Sequence, residues 1–326
     1  MIGVPVSMLD LATVGPGESF REALAASVTL AQEAERHGYT RVWYAEHHNM
    51  ASIASSATAV LIAHVAAHTS RIRLGAGGVM LPNHAPLMVA EQYGTLAELH
   101  PGRIDLGLGR APGTDPRTMR ALRRDASAAD TFPQDVLELQ GYLRGESLIP
   151  GVDAFPGKGT DVPLFILGSS LFGATLAARL GLPYAFASHF APAALDEACA
   201  RYRAQFEPSE QLAEPYLVTA MNVIADDDAA RAVRQQEEVL RARVALVLPP
   251  GTQVTEEQAD EILASPHGDR LRQMMTHTAV GTGAQAAEQV TAFAERTGAD
   301  EVIVSHPGLR AEDRLRSVRL LGEHLG

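Results

Sequence analysis

The chain has 326 residues, 46% of them apolar, and its 39 acidic against 27 basic side chains leave a net charge of −12, which excludes the basic footprint of a nucleic-acid binder. No apolar run reaches the roughly 20 uncharged residues of a membrane span. Cys199 stands alone, which excludes disulfide frameworks and thiolate metal sites within one chain, and Lys158, the single lysine, follows the turn-like Phe155-Pro156-Gly157, which excludes the desolvated amine of a Schiff-base aldolase.

Met1 to Leu11 carry no basic stretch before the apolar residues, so no secretory leader is expected and the protein is read as cytoplasmic. Val4–Leu9 is a short apolar strand, and Phe20–His37 has the 3.6-residue spacing of an amphipathic helix ended by Gly38. Strand Arg41–Ala45, helix Ser55–Ala67, strand Ile72–Val79, helix Pro86–Leu99 and strand Arg103–Leu108 follow. After a broken helical stretch, Asp115–Arg144, the alternation continues with Val162–Leu167, Leu171–Leu180, Tyr184–Ser188 and Ala193–Phe206. Tyr216–Ala225 is the seventh strand, Glu301–Ser305 the eighth, and a last helix starts near Arg310.

Regular β–α alternation implies parallel strands with right-handed crossovers, and eight pairs suit a closed (β/α)₈ barrel, here one domain over residues 1–326. Two stretches exceed what eight plain units need: Gly109–Asp161, and Asp226–Gly283 with its acidic turn and Pro249-Pro250-Gly251. Both follow strand C-termini, the face where such a barrel builds its active site, and are read as walls or lids of a pocket.

Four strand ends carry chemistry. The second reaches Glu46-His47-His48, a carboxylate and two imidazoles fit for acid–base work or metal binding; polar capping of a helix is the ordinary alternative. No metal is expected, because the His-x-His of metal-dependent hydrolase barrels is absent after the first strand, although His189 could supply a ligand. His64 and His68 have helical spacing without the glutamate of a zinc-protease motif and are read as surface or packing residues. The third ends Ala76-Gly77-Gly78, where glycines mark a bulge, a close approach by a ligand, or tight packing. The fourth runs into Gly107-Leu108-Gly109-Arg110-Ala111-Pro112-Gly113. Its glycine spacing and Pro112 do not suit a dinucleotide fingerprint, but the guanidinium of Arg110 suits a phosphate, or a carboxylate in a salt bridge. The fifth ends Gly168-Ser169-Ser170 directly before a helix, an anion site or plain serine capping.

Together with Pro82-Asn83-His84-Ala85-Pro86 and Pro101-Gly102-Arg103-Ile104-Asp105, these motifs resemble the bacterial luciferase-like flavin-dependent monooxygenase family, from Val4 to about His189 and again from Val280 to Pro307. The resemblance implies a non-proline cis peptide at Gly77–Gly78 against which a flavin leans. A β-branched residue at Gly78 is accordingly expected to abolish flavin binding while leaving a folded barrel. The resemblance also puts the FMN phosphate on Arg110, Ser169 and Ser170, with Gly109 and Gly168 beside it. His47 becomes the acid–base residue, with Glu46 and His48 nearby, and Leu9 and His189 line the substrate pocket. Gly109 and Ser169 stand where the bacterial luciferase alpha subunit has a cysteine and a glutamate, and Ser188 or His189 where it has an aromatic wall. The resemblance therefore carries flavin binding over and leaves light emission and aldehyde specificity unassigned.

The activity so implied uses reduced FMN (FMNH2) and O2 to oxygenate a small organic substrate of aldehyde or natural-product type, with reduced flavin delivered by a separate NAD(P)H:flavin reductase, since no nicotinamide fingerprint is present. An F420-dependent hydride-transfer enzyme on the same fold is the first alternative, and a non-catalytic flavin-binding protein the second. A homodimer is expected from the apolar residues on more than one face of Ser55–Ala67 and Pro86–Leu99.

Overall fold

Strands form where short aliphatic and aromatic runs can be covered on both faces, as parallel sheets require. In the computed structural model, which describes residues 2–111, 114–248, 252 and 254–325, such runs make β1 (Val6–Asp10), β2 (Arg41–Tyr44), β3 (Arg73–Met80) and β4 (Ile104–Gly109). Between them lie α1 (Phe20–Arg36), α2 (Thr58–Ala66) and α3 (Pro86–Leu99). After β4 come α4 (Pro116–Ala121) and α5 (Phe132–Arg144), then β5 (Leu164–Gly168), α6 (Leu171–Leu180), β6 (Tyr184–Phe186) and α7 (Leu195–Ala204). β7 (Leu217–Ala225) is followed by α8 (Ala229–Arg243), α9 (Glu256–Leu263), α10 (Pro266–Met274), β8 (Thr278–Gly281), α11 (Gly283–Thr297), β9 (Glu301–Ser305) and α12 (Ala311–Gly322). Among the described residues no helix is long and apolar enough to cross a membrane.

The ring closes in the order β1 to β7, then β9, then β1 again, every pairing parallel, with helices around it. This is the expected (β/α)₈ barrel with one addition. β8 pairs with Asn222–Ala225 of β7, beyond the Val218–Asn222 stretch that β9 takes, so β7 forks and β8 stands outside the ring. β8 and the start of α11 fall within Asp226–Gly283, the stretch expected to be the second insertion. Several expected edges also move, among them the end of the sixth strand to Phe186, the start of the second helix to Thr58, the starts of the first and fifth strands to Val6 and Leu164, and the ends of the helix after the sixth strand to Leu195 and Ala204. Pro112-Gly113 and Pro249-Pro250-Gly251 lie outside the described residues.

Side-chain alternation splits the core in two. Leu9, Trp43, Phe165, Ala185, Val218, Ala220 and Ile303 fill the barrel interior, and the larger cluster packs strands against helices. Below the interior lies an ionic layer at the strand N-termini. Arg41 donates to both oxygens of Glu301 (2.9 and 3.0 Å) and to Asp105 (2.7 Å), while Ser7 and Tyr216 donate to Glu301 and Arg73 to Asp105. Glu301 and Asp105 are fully buried, so these bonds offset a desolvation that would otherwise be prohibitive. The layer lies at the end opposite the expected site.

Candidate active site

The glycine-rich end of β3 is a bulge. Ala76 pairs with Leu106 and Val79 with Leu108, so Gly77 and Gly78 together oppose Gly107, and the peptide between them is cis. A Cβ on Gly77 would meet Leu9 and Trp43, each at 2.9 Å; one on Gly78 would stand 2.7 Å from the Gly107 carbonyl oxygen. The obstacle at Gly78 is thus strand backbone. A β-branched residue there would force β3 and β4 apart, which corrects the expectation that such a variant keeps an intact barrel. Ala76 is fully buried beside this bulge, and Leu9 closes the top of the interior cluster.

After β2 the chain divides its polar residues. Glu46 is 1% exposed, and its Oε1 is bonded at 2.8 Å to Nε2 of both His48 and His84, while Oε2 accepts from the Met80 N–H at 3.2 Å. Burial acts to raise the Glu46 pKa, but the bonds from His48 and His84 outweigh it and bring it to about 2. The same bond from the carboxylate raises the His48 pKa above 6.5. Three atoms of metal-ligating type thus lie within 4.8 Å of one another. Both imidazoles, however, are at hydrogen-bond distance from one oxygen, and the arrangement works as a proton-sharing clamp between the ends of β2 and β3. Nothing local in Pro82-Asn83-His84-Ala85-Pro86 shows that His84 reaches back to Glu46.

His47 belongs to a different group. His189, after β6, has its pKa pushed down to about 3, first by burial and then by the charges of Arg243 and His47. The His189 carbonyl accepts from Asn222 Nδ2 at 2.7 Å, and its buried Nδ1 has no hydrogen-bond partner among the described residues. Imidazoles at the C-terminal mouth of a barrel are suited to proton transfer. Arg243 had no signal in sequence.

The phosphate candidates come together at the ends of β4 and β5. The Arg110 guanidinium lies 4.2 Å from the centre of the Phe172 ring, in the first turn of α6. Among the described residues no carboxylate pairs with it. Ser170 is the N-cap of α6, yet its side chain makes no capping hydrogen bond, unlike Ser19, Thr255 and Thr282 on their helices. An uncapped helix start with a free hydroxyl and an arginine beside it is what a phosphate needs. Gly168 and Ser169 complete this turn, and Gly109 lies under the Met80 sulfur.

Comparison with known proteins gives a consistent picture. The profile described as "Luciferase-like monooxygenase" matches residues 4–301. A "Luciferase-like monooxygenase" of Escherichia coli (strain K12) is 45% identical over 324 residues, 97% of this chain and 96% of that protein. The "N-acetyl-S-alkylcysteine monooxygenase" of Bacillus subtilis (strain 168) is 32% identical over 98% of each chain. The crystal structure of apo-MsnO8 superposes with a TM-score of 0.85 at 36% identity, covering 98% of this chain and 97% of that one.

Proposed function

The chain belongs to the luciferase-like monooxygenase family, and from that premise we propose that it oxygenates a small organic thioether-type substrate with O2 and reduced FMN, the latter supplied by a separate NAD(P)H:flavin reductase. The observation that carries the cofactor reading is the uncapped start of α6 with Arg110 laid across its first turn. The B. subtilis relative's name supports the substrate reading.

Arg110 and the Ser169-Ser170 turn hold the phosphate, and the β3 bulge offers the isoalloxazine a surface without side chains. When bound, the reduced flavin supplies the electrons and the site of oxygen activation. His47 holds and moves the proton at its imidazole, His189 stays neutral beside it, and the buried surroundings keep water out. The Glu46–His48–His84 clamp fixes the loop that carries His47. We read the chain as one barrel domain that pairs as a homodimer through α2 and α3. In support, Val60 and Met88 on these helices are 70% and 57% exposed.

The test is incubation with photoreduced FMN, air and N-acetyl-S-benzyl-L-cysteine, followed by mass spectrometry for a gain of one oxygen; reduced F420 in a parallel reaction should give no turnover. Arg110→Ala should weaken FMN binding about ten- to a hundredfold, the loss of one charged hydrogen-bond partner at about 1.5–3 kcal/mol. An unchanged dissociation constant would remove the phosphate site from this position.

A further inference from the structure

We propose that the arginine-rich segment after β4 is an electrostatic guide that draws the phosphate of reduced FMN to the barrel mouth, an inference that rests on the cofactor reading above. Between Arg110 and Arg124 five arginines accompany a single acid, Asp115, in a chain whose net charge is −12. Arg110, Arg117, Arg120 and Arg123 are exposed, and Arg124 is half-buried. Among the described residues none of the five makes an ion pair or a side-chain hydrogen bond. Arginines elsewhere on the surface do find acids: Arg201 pairs with Glu197 (2.9 Å), Arg241 with Asp260 (2.7 Å) and Arg296 with Asp196 (2.7 Å). The carboxylates of the segment are occupied by N–H groups instead. Asp115 caps α4, accepting from the Arg117 and Thr118 N–H groups (2.8 and 3.2 Å), and Asp125 accepts from the Ser127 N–H (2.9 Å).

Hydrogen bonds fix where these charges lie. Thr114 Oγ1 donates to the His48 carbonyl (3.4 Å) and Asn49 Nδ2 donates to Asp115 (3.2 Å), which ties the start of the segment to the loop after β2. Its far end, the helical turn Ala126–Ala129, packs against Leu81–Asn83, the turn after β3. The arginines between them therefore cross the C-terminal mouth of the barrel, and Arg110 leads the set from the end of β4, against Phe172. Arg123 follows α4 in the left-handed conformation (φ 57°), where glycine is the ordinary residue, and the Arg124 N–H closes that turn on the Met119 carbonyl at 2.9 Å. An anion approaching this acidic chain from a distance meets repulsion. A local excess of positive charge reverses the field at the mouth and speeds association without any contact of its own. Arg110 holds the phosphate once it has arrived. The other four arginines act at range, so they set how fast the phosphate arrives and not how long it stays.

The test is anaerobic stopped-flow mixing of photoreduced FMN, or of photoreduced riboflavin, with the full-length protein. The readout is quenching of Trp43, the single tryptophan, whose ring lies against the β3 bulge at Gly77. The wild type should bind FMN about tenfold faster at about 20 mM ionic strength than at about 500 mM, whereas riboflavin, which has no phosphate, should barely respond to salt. The variant carrying Arg117→Gln, Arg120→Gln, Arg123→Gln and Arg124→Gln should bind FMN about five- to tenfold more slowly at low salt, with dissociation changed by less than about twofold. Arg120→Gln with Arg123→Gly, which suits the backbone, should slow binding about two- to threefold, and lysine at all four positions should keep the wild-type rate. Arg71→Gln with Arg179→Gln removes two exposed charges at the opposite end of the barrel, before β3 and in the last turn of α6, and should leave the rate unchanged. An unaltered rate in the four-glutamine variant, equal salt dependence for riboflavin, a change confined to dissociation, or equal slowing in the Arg71 and Arg179 control overturns the proposal. The two readings fail separately. FMN that never quenches Trp43 refutes the cofactor reading and the guide with it, whereas FMN that binds at a rate indifferent to these arginines refutes the guide alone.

Discussion

Glu46→Gln is expected to be nearly silent at about pH 8.5 and costly at about pH 5.5, and the reason lies in which protons the clamp can share. In the wild type the carboxylate accepts on both oxygens, from Met80 N–H on one side and from the two imidazoles on the other. Its folded pKa of about 2 is below the ordinary 4.5, so its contribution to stability is present above 4.5 and is lost as pH falls toward 2. His48 has the opposite sign. Its pKa is raised above 6.5, so its contribution is full below 6.5 and is lost as pH rises through the folded value. The pair therefore contributes fully between about pH 4.5 and 6.5.

A glutamine of the same shape can turn its oxygen to the Met80 N–H and its NH2 to the imidazoles. That arrangement suits a neutral His48, which accepts, and fails for a protonated one, which faces a donor. The cost at about pH 8.5 should be about 1 kcal/mol or less, and at about pH 5.5 it should rise by a charged hydrogen bond, about 1.5–3 kcal/mol. Urea unfolding followed by circular dichroism at both pH values measures the difference, and proton NMR should show the His48 pKa returning toward 6.5. A destabilisation equal at the two pH values, or larger at the alkaline one, would refute the reasoning.

The remaining expectations concern the mouth, the base and the outer wall of the barrel. His47→Ala should lower turnover about 10²–10⁴-fold with FMN binding unchanged; turnover surviving within a few-fold would move the acid–base role to His189. Glu301→Ala leaves Arg41 with Asp105 alone and strips Ser7 and Tyr216 of their acceptor, so unfolding free energy should fall by about 3–5 kcal/mol in urea titration, with FMN affinity retained. Val60→Asp places a charge on the exposed apolar face of α2, and light scattering should report a monomer where the parent protein is a dimer.

How far the sequence reached depended on the distance over which each feature is encoded. Helix α3 was legible to the residue because Pro86 begins it, and α6 because Gly181 ends it in the left-handed conformation (φ 61°). The start of α11 was legible too, in the capping box of Thr282 and Gln285, a signal four residues long. β8 was not. Its four residues are buried only at alternate positions, and nothing in Thr278–Gly281 announces that β7 is long enough to carry a second partner.

The site divides along the same line. Arg110 and Ser170 were readable because each ends its own strand, and the barrel order makes β4 and β5 neighbours, so two local signals meet without further information. The His84–Glu46 contact spans 38 residues, and its partner is chosen by a loop whose course no periodicity fixes. Gly78 shows why even a correct local signal can carry the wrong consequence. Glycine marks the spot where a side chain has no room, but only the register of β3 on β4 reveals that the space belongs to the Gly107 carbonyl. Its close approach is therefore to the barrel's own backbone, and any cofactor resting against the bulge relies on a surface that the two strands have already shaped for each other.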